Sequence, residues 1–232
     1  MNQLDFSHDA QRSLAIQRFM VKVYGWMALA LMVTGFVSLL VVSSKAMLEF
    51  VFGSKVIFYG LIILELVLVG YLAIWVRNMS ASTAALVFLL YAVLNGVTMS
   101  FIFLIYTTGS IASTFFITAG TFAVMSIYGY TTKADLTKWG NILFMGLIGL
   151  IIASIANIFM QSSTLYWITT YVGVLIFVGL TAYDTQKIKE TAGVGGVDSE
   201  EESKAAVMGA LTLYLDFINL FLKLLRIFGR RK

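Results

Sequence analysis

The sequence predicts an all-α polytopic membrane protein, a seven-transmembrane-helix bundle with its C-terminal helix at the centre. Three observations predict it. Of the 232 residues, 59% are hydrophobic and only 12% are charged, whereas a soluble domain carries about 25% charged residues. The apolar excess is gathered into blocks, most near the roughly 20 residues a helix needs to cross hydrocarbon. Most charges fall between these blocks, and the few inside them are conspicuous.

Taken in order, residues 1–22 (with Asp5, Asp9, Arg12, Arg18 and Lys22) read as a polar N-terminal tail. A cleavable signal peptide needs its apolar core within such a stretch, so the first apolar block is expected to serve as an uncleaved insertion signal. Six spans follow at about Val23–Val42, Val56–Val76, Ala84–Tyr106, Ile111–Tyr130, Gly140–Met160 and Leu165–Tyr183. A seventh, about Val207–Leu222, is shorter and contains Asp216. The membrane domain is thus 23–228. Residues 185–206, with Gly193-Val194-Gly195-Gly196 and Glu200-Glu201-Glu202, read as a solvated polar loop, and 229–232 as a basic C-terminal tail. The short links Thr107–Ser110 and Gln161–Thr164 carry no charge and make neighbouring helices antiparallel hairpins. Proline is absent, so any helix break must come from glycine or from polar side chains. Gly96 with Ser100, and Gly149 with Ala153, stand at a spacing that lets helix backbones approach closely.

Lys and Arg near the span ends set orientation. An N-terminus inside places Arg12, Arg18, Lys22, Arg77, Lys133, Lys138, Lys187, Lys189 and Lys204 in the cytoplasm, and leaves Lys45 and Lys55 outside. The loop 185–206 is then cytoplasmic. The C-terminal Lys223, Arg226, Arg230, Arg231 and Lys232 break the bias if the seventh block crosses, and crossing is the favoured reading. The basic residues adjoin apolar blocks and mark topology and lipid headgroups, so no nucleic-acid partner is expected. The lipid bilayer is the partner this charge placement implies.

Cysteine is absent and the single histidine, His8, stands in the tail. That excludes thiolate catalysis, zinc–cysteine sites and a serine protease that draws on a membrane histidine. Three acidic residues lie within or at the end of the spans: Glu65, Asp184 and Asp216. Such groups are expensive in lipid and are functional candidates by default. Thr212, Asp216, Asn219 and Lys223 recur at i, i+4, i+7 and i+11. They share one helical face, so the seventh helix has a polar stripe that must be buried against other helices. Arg77 and Asp184 emerge at the same membrane face and could pair. Asp216 lies roughly 14 Å deep from that face at about 1.5 Å per residue, so meeting Asp184 requires the seventh helix to begin inside the loop. Two carboxylates close together in a dry site do not both ionise easily. Without a membrane histidine, any pH response near neutrality has to come from carboxylates.

Leu180-Thr181-Ala182-Tyr183-Asp184-Thr185-Gln186 and the run from Gly209 to Phe221, with Tyr214-Leu215-Asp216-Phe217-Ile218-Asn219, resemble the two C-terminal signatures of the Bax inhibitor-one (transmembrane Bax inhibitor motif) family. Tyr24-Gly25-Trp26-Met27 and Tyr128-Gly129-Tyr130-Thr131-Thr132-Lys133 are similar to its bacterial branch. The resemblance implies a seven-helix bundle wrapped around the last helix, in a bacterial inner membrane. It also implies a pH-sensitive calcium leak, with Asp184 and Asp216 as the sensor pair and as transient calcium contacts. Arg77 matches the family's latch. Glu65 falls where a family acidic residue lies along the ion path, and the polar stripe adds Thr212 and Asn219. Calcium would be the permeant ion, and no cofactor is expected.

Three other readings compete. Tyr183-Asp184 matches half of an intramembrane aspartyl protease motif, but the glycines needed before the second aspartate are replaced by Leu213-Tyr214-Leu215, so no enzyme is expected. A proton-coupled transporter would also use buried carboxylates, yet no glycine-broken inverted repeat is evident. The third reading is a regulatory membrane protein that binds a protease or other complex.

Overall fold

The computed structural model describes residues 3–193 and 196–232, with side chains described from Gln11 onward. The side chains of Asp5, His8 and Asp9, and the loop residues Val194 and Gly195, lie outside the described residues. Among the described residues the regular structure is helical: α1 (Gln3–Ser43), α2 (Lys45–Phe52), α3 (Lys55–Trp75), a 3-10 turn (Val76–Asn78), α4 (Ala81–Met99), α5 (Ile102–Ile105), α6 (Thr108–Thr131), α7 (Thr137–Met160), α8 (Ser163–Glu190) and α9 (Glu200–Phe228). Among the described residues, seven spans are long and apolar enough to cross a membrane: Gln11–Ser43, Lys55–Asn78, Ala81–Ile105, Thr108–Thr131, Thr137–Met160, Ser163–Glu190 and Glu200–Phe228. The protein is an all-α polytopic membrane protein.

The expected loop 185–206 is largely helix, which corrects the sequence reading. α8 runs on to Glu190 and α9 starts at Glu200. The cause is a capping box, in which the first-turn Glu reaches back past the cap. The amide of Glu202 donates to Ser199 Oγ at 3.0 Å, and Glu202 Oε2 accepts from the Asp198 amide at 2.7 Å. The remaining turn is tight, and Gly193, Gly196 and Asp198 take positive φ values of 79°, 104° and 58°. The last helix has 29 residues, about 44 Å at 1.5 Å per residue, which is ample for a crossing.

The third span breaks at Ser100. Ser100 Oγ donates to the Val97 carbonyl at 2.7 Å, and Phe103 N and Leu104 N reach back only three residues, to Ser100 and Phe101. A short polar side chain that bonds its own backbone competes with the helical ladder, and in a chain without proline it supplies the break.

Two compact units divide the chain, one from residues 1–104 and 188–214, the other from 105–187 and 215–232. In the first, α1 and α3 both pack along α4. Gly96 makes the first of these contacts possible, since a Cβ there would stand 2.7 Å from the Thr34 carbonyl oxygen. Ser38 Oγ donates to the Gly96 carbonyl at 2.7 Å and Thr34 Oγ1 to the Ala92 carbonyl at 2.9 Å. Tyr214 is fully buried; its hydroxyl bonds Thr34 Oγ1 at 2.7 Å, and the Phe88 and Tyr91 rings meet it edge-on. Gly149, the other expected contact, has open space around its Cβ position, so that half of the small-residue expectation fails.

In the second unit Leu150, Ile176, Phe177, Leu180, Leu220 and Leu224 form one core cluster. Phe217 sits between Phe115 and Phe122 at centroid distances of 5.4 and 5.5 Å. Two glycines set the spacing: a Cβ on Gly129 would overlap the Ala182 backbone, and one on Gly140 the Tyr183 ring. Gln186, the last residue of the first signature, is buried and stitches the α6–α7 link. Its Oε1 accepts from the Leu136 amide and its Nε2 donates to the Ala134 carbonyl, both at 2.9 Å. In that exposed link Asp135 accepts from Thr137, which holds its carboxyl below the usual range. The basic tail is clamped: Thr107 N donates to the Arg230 carbonyl and Lys232 N to the Ile105 carbonyl, both at 2.9 Å.

Candidate ion-pathway site

The second unit brings the carboxyl groups of Asp184 of α8 and Asp216 of α9 close to each other. Asp216 is buried, and its Oδ2 has no hydrogen-bond partner. The depth difficulty raised by the sequence disappears because α8 and α9 both run past the expected loop boundaries, which puts both carboxyls well inside helices. Gly129, whose missing side chain admits the Ala182 backbone two residues from Asp184, lets α6 close over this stretch of α8. Were both carboxyl groups ionised, they would be like charges close together where water is scarce.

The polar stripe on α9 is present. Lys223 is buried, and its Nζ donates to the Thr169 carbonyl of α8 at 3.2 Å. Its stem crosses Gly173, where a Cβ would lie 2.8 Å from Lys223 Cε. Thr212 and Asn219 are half-buried and donate within their own helix, to the carbonyls of Met208 at 3.1 Å and Leu215 at 2.8 Å.

The remaining candidates belong to the first unit. Glu65 of α3 is half-buried and accepts from Thr98 Oγ1 of α4 at 2.7 Å. Arg77 is exposed in the 3-10 turn, and its carbonyl accepts from Lys204 Nζ at 3.4 Å. Among the described residues no group of three or more His, Cys, Asp or Glu side chains could hold a metal ion.

The acidic run Glu200-Glu201-Glu202, which reads from the sequence as part of a solvated loop, makes specific contacts. Glu202 is buried, 2% exposed, and Lys22 Nζ stands 3.5 Å from its Oε2 and 2.5 Å from Asp198 Oδ1. Glu200 Oε1 accepts from the Ala81 amide at the start of α4, at 3.1 Å. Lys22 thus ties α1 to the α8–α9 turn, and its hydrogen bond to Asp198 holds that exposed carboxyl below the usual range. The readable signal was Ser199-Glu200-Glu201-Glu202, a capping-box pattern directly before an apolar run.

The family described as Inhibitor of apoptosis-promoting Bax1 matches residues 16–232. The Inner membrane protein YbhL of Escherichia coli K12 is 50% identical over 223 residues, covering 96% of this chain and 95% of the relative. An uncharacterized protein of Rickettsia prowazekii is 45% identical over 219 residues, covering 94% of this chain and 91% of its own length. Another from Borreliella burgdorferi is 44% identical over 229 residues, covering 99% of both chains. With its seven apolar spans and a match over nearly its whole length, the chain belongs to the Bax inhibitor-1 family of multi-pass membrane proteins.

Proposed function

We propose that this protein is a pH-sensitive calcium leak channel of a bacterial inner membrane, with its N-terminus and the α8–α9 turn in the cytoplasm. The observation that carries the reading is the close Asp184–Asp216 carboxyl pair, with Asp216 buried and its Oδ2 without a hydrogen-bond partner. Such a pair stores one proton, and its charge changes when that proton leaves. Loss of the proton favours the closed form, and protonation at lower pH frees the path. Arg77 is the proposed latch. It stays protonated at every accessible pH, so only the carboxyl side switches. Glu65, Thr212 and Asn219 are the proposed path residues. Calcium takes six to eight oxygen ligands, more than two carboxyls supply, so its contacts with Asp184 and Asp216 would be transient and completed by water. The inner-membrane placement is supported by the name of the Escherichia coli relative.

The test is purified protein in vesicles loaded with a calcium indicator. Entry down the gradient should depend on the protein, need no second substrate, and rise as pH falls from about 8 to about 5, the range in which a paired carboxyl exchanges its proton. Absence of flux across that range would sink the channel reading and favour a regulatory membrane protein. Flux that requires a proton gradient would favour a coupled transporter.

A further inference from the structure

We propose that the second unit carries a binding site for an anionic phospholipid headgroup, at the membrane face where α7 ends, α8 begins and the chain terminates. A groove of about 640 Å³ opens there between Gln161, Ser163, Tyr166, Trp167, Arg226 and Arg231. Among the described residues neither Arg226 nor Arg231 forms an ion pair with a carboxylate. Both are nevertheless held in place. The Arg226 guanidinium lies over the Tyr166 ring, 5.1 Å from its centroid, a cation–π contact that fixes its plane. Arg231 sits in the clamped tail, in an antiparallel bridge with Tyr106. One guanidinium held against a ring and a second carried on a pinned backbone, neither facing a protein carboxylate, are a good match for a phosphate, which arginine binds through paired hydrogen bonds.

The surroundings select a lipid phosphate over a soluble one. Trp167 is stacked on Tyr171 and edge-on to Tyr166, all at the start of α8, the position aromatic side chains take at a membrane–water interface. Below the groove the helix faces are apolar and open, with Ile158, Phe159 and Ile168 all more than half exposed. A headgroup seated between the arginines would therefore lay its acyl chains along α7 and α8. This inference does not depend on whether the chain conducts calcium.

The test is native mass spectrometry of full-length protein released from nanodiscs of mixed phosphatidylglycerol and phosphatidylcholine. The wild type should retain phosphatidylglycerol preferentially. Each basic residue at a membrane surface contributes about 1 kcal/mol towards anionic lipid, or about fivefold. Arg231→Gln and Arg226→Gln should each lower the preference by about that factor, and the double variant by more. Arg230→Gln removes the same charge from the same tail, outside the groove, and should lower the preference clearly less than Arg231→Gln does. Should the double variant fold poorly, the exposed Arg231→Gln carries the test alone. Equal retention of both lipids by the wild type would overturn the proposal, as would an Arg230→Gln loss matching that of Arg231→Gln. Displacement of the retained lipid by inorganic phosphate would assign the groove to a soluble anion and overturn the lipid reading.

Discussion

The helices α7 and α9 are close in length and opposite in design. Only 6% of the most apolar window of α7 is buried in the protein, against 67% for α9. Yet α7 carries no charge between Lys138 and Met160, while α9 carries Asp216 and Lys223 among its apolar residues. In water the more apolar helix would be the core. In a bilayer lipid tails are as apolar as leucine, so hydrophobicity does not separate inside from outside. Polarity does, because a charge facing lipid is expensive and must turn inward.

Four experiments test this difference between lipid-facing and protein-facing positions. The largest effect is expected from Gly129→Ala, whose added methyl would overlap the Ala182 backbone. Overpacking of this kind costs about 1–3 kcal/mol or more, read as earlier unfolding in a detergent titration. Gly149→Ala on α7 meets open space and should be neutral or slightly stabilising, since alanine is the better helix former by up to about 1 kcal/mol. If both variants cost the same, the exposed face of α7 is no freer of protein contacts than the seam between α6 and α8.

Next, Asp184→Asn should flatten the pH dependence of calcium entry at a high leak, because the amide mimics the protonated carboxyl. Arg77→Ala should also raise the leak, and combining the two should add little. Asp216→Asn should shift the midpoint of the profile. A wild-type pH profile in Asp184→Asn would move the sensor elsewhere, with Glu65 the next candidate.

Tyr214→Phe removes the hydroxyl bonded to Thr34 and should cost about 0.6 kcal/mol, the typical value for a hydrogen bond between membrane helices. On the lipid-facing side, Phe159→Leu touches a residue 82% exposed to the surroundings and should fall within about 0.5 kcal/mol of wild type. The same titration reads both.

The smallest effect concerns the Lys22–Asp198 contact. The Asp198 carboxyl is lowered by its partner, so its stabilisation is present above the ordinary carboxylate pKa of about 3.9 and is lost as pH falls through the lower folded value. Lys22→Gln should speed hydrogen exchange at the Asp198 and Ser199 amides at neutral pH, and the difference from wild type should vanish in acid. A difference that survives acidification would mean the contact does not tie down the turn.

The all-α class, the number of spans, the polar stripe on the last helix and the family are all legible in the sequence alone. Each of these depends on hydropathy summed over a block or on side-chain periodicity, which are local properties. Tertiary structure decided which small residues are contacts, Gly96 and Gly129 but not Gly149, since a close approach needs a partner distant in the chain. It also decided that Lys22 answers Asp198 and Glu202, and that the basic tail is pinned to the start of α6. Those pairings join residues more than a hundred positions apart. Hydrophobicity could not foretell them, because in a membrane it reports contact with lipid or with protein equally well, and only the packed chain distinguishes the two.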